Sequence, residues 1–295
     1  VKKDLAPLRN VLQWKKPWEG NCRVKPWEYK ITAVVPCLDT FEQLEICVNL
    51  LRLQTEKPYI IVIDTGSCEE EYKKIENLRD EDLEVHCLRL NGVLHPSDFP
   101  AIAMDLAFSA CRTEYLFATH ADCFLRNKNF LQELIDLCIN YSPVVGYEIS
   151  PRLHEDWHGM VSHTATMYHM PTMDRIGYGW SLRRLSNYYN IKDYSPSPGR
   201  PGWPDTEILG NYILRKNNIK PHLIGGEPNF KRKIDDNIDH FRSFTSGKLY
   251  SQPHYEKAKD WYLDARNQAL QRIENWQREE EYNLKFKELD VNRIS

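Results

Sequence analysis

His120 and Asp122 stand one residue apart directly after the apolar run Tyr115–Thr119 (YLFAT). In extended backbone, residues i and i+2 point the same way, so an imidazole and a carboxylate would face one point. Those donors suit Mn2+ or another divalent ion, with a diphosphate supplying further oxygens. Stabilisation of a turn is the alternative reading. Two more aspartates lie at the ends of apolar runs. Asp39 follows Ile31–Pro36 (ITAVVP), and Asp64 closes Pro58–Asp64 (PYIIVID). A carboxylate so placed either caps the next helix or faces a ligand. For Asp39 both readings stand. For Asp64 the ligand reading leads, because Thr65 and Ser67 already offer capping hydroxyls. Asp205, in PDTE, falls one turn before Leu209 on the side continuing to Tyr212 and Ile213. An acid there is either a helix-end charge or a base poised to take a proton from a hydroxyl. Glu207 is the second candidate for that base.

The elements that must position these residues follow from the apolar pattern. ITAVVP and PYIIVID are nearly continuous apolar runs, as expected of parallel strands covered on both faces. Between them, Thr40 with Gln43 forms a capping-box pattern, and Leu44, Cys47, Val48 and Leu51 share one helical face. Ser67 with Glu70 repeats the capping signal before EEEYKKIENL, and Leu83–Leu88 (LEVHCL) reads as a third strand. A helix over about 98–111 has a small side made by Ala103, Ala107 and Ala110, suited to close packing, and YLFAT follows it. Further helices are expected near 128–139 and 204–217, with strands near 144–149 and 221–225. Alternation of this kind predicts a doubly wound α/β domain, with ligands outside the carboxyl ends of the strands.

Domain boundaries follow. Residues 1–30, with Trp14, Trp18 and Trp27 around Pro17 and Pro26, read as an arm packed on the core. Residues 31–253 form the core domain, with halves at 31–124 and 125–253. Residues 254–295 form a charged helical extension in which Tyr262, Ala265, Ala269 and Ile273 recur near helical spacing. That helix straps the domain or, as the rival reading, pairs two copies in a homodimer. The Gly/Pro/Ser-rich stretch 185–203 is long enough to be a functional loop.

The formal net charge of −3, from 39 basic and 42 acidic residues, implies no overall attraction to nucleic acid or anionic membrane. Eight cysteines without a C-x-x-C pair read as free thiols in a reducing compartment. No segment resembles a signal peptide, and no apolar run approaches the roughly 20 residues needed to cross a bilayer. The expectation is a cytoplasmic enzyme with no integral membrane segment. The chain has neither G-x-G-x-x-G nor G-x-x-x-x-G-K-[ST], which counts against dinucleotide and P-loop sites.

The order of these motifs resembles the GT-A glycosyltransferases, particularly the family-2 group of inverting enzymes. TAVVPCLDTFEQLEICVNLLRLQT (32–55) is similar to that group's opening strand and helix, and YIIVIDTGS (59–67) to its second strand and turn. AMDLAFSACRTEYLFATHADCF (103–124) resembles its helix, strand and D-x-D segment. The similarity continues into WPDTEILGNYILRKNNI (203–219) and HFRSFTSG (240–247). It implies a GT-A, Rossmann-like, mostly parallel sheet with helices on both faces, with 31–124 as the nucleotide-sugar-binding half and 125–253 as the acceptor-side half. It also implies a metal-dependent hexosyltransferase using a UDP-, GDP- or dTDP-sugar with Mn2+ or Mg2+. Pro36, Asp39, Asp64, Asp105, His120 and Asp122 would contact the donor, with Asp39 and Asp64 on the base and ribose. Asp122, His240 and His120 would hold the metal, and Asp205 would be the base. The sequence departs from the family pattern at Met104 and Asp105, where Arg and Asn are favoured, at Ala107 in place of glycine, and at His120 in place of a carboxylate.

The acceptor, a glycan, a small molecule or another hydroxyl compound, is not specified. The His- and aromatic-rich stretch 152–180 suits a sugar-facing surface. Its His154, His158, His163 and His169 are spaced too irregularly to define a second metal site. A nucleotidyltransferase and a catalytically weak nucleotide- or glycan-binding module are the rival functions, the latter prompted by His120.

Overall fold

The computed structural model describes residues 28–88, 98–149, 159–180, 207–226, 236–241 and 252–294. The three tryptophans of the arm and the 185–203 loop lie outside these. The elements are β1 (Ile31–Cys37), α1 (Phe41–Arg52), β2 (Tyr59–Asp64), α2 (Glu69–Glu76), β3 (Leu83–Cys87), α3 (Asp98–Ala110), β4 (Tyr115–Ala118) and β5 (Cys123–Leu125). They continue with α4 (Phe130–Asn140), β6 (Val144–Glu148), β7 (Thr166–His169), α5 (Met170–Ile176), α6 (Glu207–Lys216), β8 (His222–Gly226), β9 (Ile238–His240) and α7 (Gln252–Ile294).

Seven strands form one sheet in the order β3-β2-β1-β4-β7-β6-β8. The pairings β1–β2, β1–β4, β2–β3 and β6–β8 are parallel, whereas β7 runs antiparallel to both β4 and β6. The mostly parallel sheet with helices on both faces, expected from the apolar runs, is therefore present, with β7 as its antiparallel member. Side chains alternate between its two faces as strand geometry requires. Ile31, Ala33 and Val35 pack with α1, α4 and α7 on one face, while Val34, Ile61 and Ile63 pack with α3 on the other. Burial on both sides explains why β1 and β2 carry no polar alternation. Each buried Val, Ile or Leu contributes about 1.5–3 kcal/mol.

The helix starts differ from the local reading. Thr40 makes no side-chain capping bond. The Phe41 amide donates instead to Glu71 Oε2 at 3.2 Å. Ser67 precedes the actual N-cap, Cys68, and its hydroxyl accepts the Asp39 amide at 2.7 Å. Parallel neighbours bring the β1–α1 and β2–α2 loops side by side, so each satisfies the other's helix start.

The C-terminal segment is one helix that buries Tyr262, Ala265, Ala269 and Ile273 in the core beside α1 and β9. Two ion pairs tie it to the core, Arg272 to Asp239 of β9 and Arg266 to Glu42 of α1. Among the described residues, no helix is long and apolar enough to cross a membrane.

Candidate active site

The strand order reverses at β1: the chain runs outward to β3, then α3 carries it back to β4 on the other side. Ligands of doubly wound sheets sit at such a switch point, outside the carboxyl ends of the strands. The β1–β4 ladder ends at Val34, level with Ala118, and the Val34 carbonyl accepts the Thr119 amide at 3.1 Å. Two residues on, Pro36 faces the same side and has no N–H to extend the ladder. The strand itself continues to Cys37, level with Asp64 of β2.

Asp39 and Asp64 belong to one network at this edge. Asp64 is fully buried, and its Oδ1 accepts the Ser67 amide at 3.0 Å. Asp39 adopts a left-handed φ of 49°, which aspartate tolerates, and its Oδ1 accepts the Cys68 amide at 2.9 Å. Asp39 thus caps the neighbouring helix rather than its own. Thr65 closes the network by donating its hydroxyl to the Cys37 carbonyl at 2.9 Å. Gly66, between these residues, has φ +129°, a conformation that L side chains rarely adopt.

After β4 the backbone does not stay extended. Ala121 and Asp122 form a turn in which the Cys123 amide donates to the His120 carbonyl at 3.1 Å. The i, i+2 argument for a shared direction therefore fails, because β5 leaves the main sheet to pair with β9. His120 remains partly exposed, whereas Asp122 is 2% exposed. The β5–β9 pairing places Cys123 level with His240, and the Phe241 amide donates to the Asp122 carbonyl at 3.1 Å. His240 Nε2 then lies 3.8 Å from Asp122 Oδ1, with His240 3% exposed. The His120 ring centroid is 5.7 Å from that of His240. The three residues expected to share a metal are thus neighbours. Among the described residues, however, no group of three or more His, Cys, Asp or Glu side chains is spaced to hold an ion on protein ligands alone.

Two further groups join this cluster. The His163 ring lies 4.4 Å from that of His120, and His163 Nδ1 is 2.6 Å from Glu207 Oε1. His169 sits at the far end of β7, against Tyr115 and Thr172, so it shares no site with His163. Asp105 Oδ1 accepts the Trp180 amide at 2.7 Å, tying α3 to a buried cluster of Tyr168, Tyr178 and Trp180. Burial pushes both tyrosine hydroxyls of that cluster up in pKa. Asp205, His154 and His158 lie outside the described residues. Sequence reasoning named His163 only within an irregular histidine set and missed Asn211. An amide buried on the helix that Glu207 opens was the available signal.

This geometry places the chain among the doubly wound α/β proteins whose polar groups gather at the switch point. Residues 32–197 match the model of Glycosyl transferase family 2, more than half of the chain, and the chain belongs to that family. No curated protein matches. Among solved structures, the chain is similar to S. aureus TarS 1–349 in complex with UDP-GlcNAc (16% identity, 51% of this chain and 48% of that one, TM-score 0.40). It is also similar to the mannosyltransferase PcManGT from Pyrobaculum calidifontis in complex with GDP-Man and Mn2+ (13% identity, 93% and 81%, TM-score 0.48). A third is the glycosyltransferase GlyE of Streptococcus pneumoniae TIGR4 (10% identity, 66% and 45%, TM-score 0.42). The chain spans about half the length of the TarS 1–349 chains.

Proposed function

We propose that this family-2 chain is an inverting hexosyltransferase that moves a sugar from a UDP-, GDP- or dTDP-sugar to a hydroxyl acceptor. The observation that carries the reading is the Asp122–His240 pair, buried together at the switch point by the β5–β9 pairing. A carboxylate oxygen and an imidazole nitrogen 3.8 Å apart fit a divalent cation whose remaining ligands are diphosphate oxygens and water. Asp122 and His240 would hold Mn2+ or Mg2+, with His120 beside them. The bound ion would supply positive charge where the leaving diphosphate accumulates negative charge.

The protein's own residues do the rest. Asp39 and Asp64, joined through Ser67, shape the edge that receives the base and ribose, with Pro36 opening the crevice beside them. Asp105 holds the α3 wall of the donor pocket. Asp205, two residues before α6, takes the proton from the acceptor hydroxyl as it attacks the anomeric carbon from the face opposite the diphosphate.

Thermal shift with UDP, GDP and dTDP in the presence of Mn2+ or Mg2+ identifies the donor class. A shift by an intact nucleoside triphosphate alone would favour a nucleotidyltransferase. Absence of donor hydrolysis would favour a binding module. With the donor in hand, Asp205→Asn is expected to retain nucleotide binding and lose roughly 10²–10⁴-fold in transfer rate. NMR of the product should show inverted anomeric configuration. Near-parental turnover would move the base elsewhere. Metal affinity in the presence of nucleoside diphosphate that is unchanged in both Asp122→Ala and His240→Ala would end the shared-site assignment.

A further inference from the structure

The polar cluster continues beyond the groups assigned to the donor. Starting from Asp122, the sequence of neighbours is His240, His120, His163 and Glu207, with separations of 3.8 Å, 5.7 Å, 4.4 Å and 2.6 Å. Three imidazoles stand in a row between two carboxylates. The His163 and Glu207 side chains are 7% and 12% exposed, so little water comes between the ring nitrogen and the carboxylate.

The helix that supplies Glu207 grips the same segment a second time. Asn211, one turn further along α6, accepts the Val161 amide at 2.8 Å through Oδ1. Its Nδ2 donates to the Val161 carbonyl at 2.8 Å and to the Glu207 carbonyl at 2.9 Å. Residues four apart share a helix face, so α6 holds residues 161 and 163 from one side at two points. Gly210 lets the same helix press against Tyr178, because a Cβ there would overlap the Tyr178 hydroxyl. The helix therefore has little freedom to slide along that segment.

We propose that Glu207 and His163 are positioning residues through which α6 fixes the orientation of His120. A carboxylate bonded to one ring nitrogen sets an imidazole's tautomer and angle. His163, so held, presents its ring to His120 and keeps it against His240. The device links the start of α6, two residues after the proposed base Asp205, to the donor side at Asp122. It also assigns Glu207 a role other than the base, since its Oε1 is engaged by a buried imidazole. The metal-side consequence rests on the donor-site reading above, whereas the effect on His120 does not.

The test uses the full chain and two independent measurements. Long-range proton–nitrogen NMR of the ligand-free protein reads the histidine rings. Glu207→Ala should move the His120 ring signals, and Glu207→Gln, which keeps a side-chain oxygen beside His163 Nδ1, should restore them. Calorimetry with Mn2+ and whichever of UDP, GDP or dTDP binds the parent should then show a roughly 10-fold loss of metal affinity in Glu207→Ala and His163→Ala, with rescue in Glu207→Gln. If Glu207→Ala does not fold, Glu207→Leu keeps the buried volume without the acceptor and is read in the same way. Unchanged His120 signals beside a lowered melting temperature would reduce the pair to a structural brace and overturn the proposal. A parent that binds none of UDP, GDP and dTDP with Mn2+ would refute the donor-site reading instead. The ligand-free spectra would then decide: moved and rescued His120 signals uphold the positioning role, and unmoved signals overturn it.

Discussion

Removing Asp239 tests whether the C-terminal helix holds the site strand in place. Asp239 lies in β9, one residue before His240, with its side chain 6% exposed. Arg126, just past β5, and Arg272 of α7 each approach one of its carboxylate oxygens to 3.1 Å. Asp239→Ala would leave two guanidiniums without their shared anion in a largely dry site. Breaking a buried pair by deleting one partner costs about 3–5 kcal/mol. Arg272→Met keeps much of the aliphatic stem and removes one charge-assisted bond, for about 1.5–3 kcal/mol. Burial lowers the Arg272 pKa, and Asp239 opposes that shift, which marks the guanidinium as one that depends on its partner. Arg126 is more exposed, 26% against 17%, so water substitutes better for its bond and Arg126→Met should cost least. The expected order is therefore Asp239→Ala, then Arg272→Met, then Arg126→Met. Urea unfolding at constant m-value measures it. Because β9 carries His240, Asp239→Ala should also weaken nucleotide-dependent Mn2+ binding. A loss under about 1 kcal/mol for Asp239→Ala would refute the reasoning, since a buried ion pair costs more than that to break.

Two further outcomes follow from packing and burial. Gly210→Ala should destabilise by about 1–3 kcal/mol through overlap with Tyr178, more than the roughly 1 kcal/mol that alanine gains in helix propensity. Tyr178 cannot yield because Phe108, Tyr168 and Trp180 enclose its ring. A raised melting temperature would contradict this. Among the described cysteines, Cys68 and Cys87 are exposed and should react quickly with a thiol reagent at pH 8. Cys37, Cys47, Cys111, Cys123 and Cys138 should not, since burial raises the pKa of each, that of Cys138 to about 12. The stability sign follows. A thiol whose folded pKa is raised contributes fully below its unfolded pKa, and that contribution is lost as pH rises through about 8.5 and beyond. Each buried thiol should then remove about 1.4 kcal/mol per pH unit until its folded pKa is reached. Fast native labelling at any of the five, or stability flat from pH 9 to 10.5, would contradict the assignment.

The sheet was legible because its strands are buried on both faces. Ile60, Ile61, Val62 and Ile63 are all at most 1% exposed, and that burial leaves a continuous apolar run in the sequence. The helix caps were not legible for the opposite reason. Ser67 and Asp39 each bond a group in the adjacent loop, and that adjacency exists only once β1 and β2 have paired. The three-residue strand β9 has too little pattern to announce itself, although His240 was singled out by resemblance. Its position depends on pairing with β5, equally short and far away in the chain.

The His120 position shows how a departure from a family pattern becomes intelligible only in three dimensions. In sequence, an imidazole in place of a carboxylate reads as a loss of negative charge beside an ion. In the fold, that imidazole has His163 on one side and His240 on the other. A carboxylate at residue 120 would offer no ring for His163 to pack against, and it would bring a third acid into a cluster already holding Asp122 and Glu207. Like charges at close range in a poorly solvated site raise the cost of keeping each ionised. An imidazole adds no further acid to the cluster and offers ring nitrogens to a ligand. Residue 120 and residue 163 are therefore one structural choice, and the acid at residue 207 completes it by fixing the ring that His120 leans on.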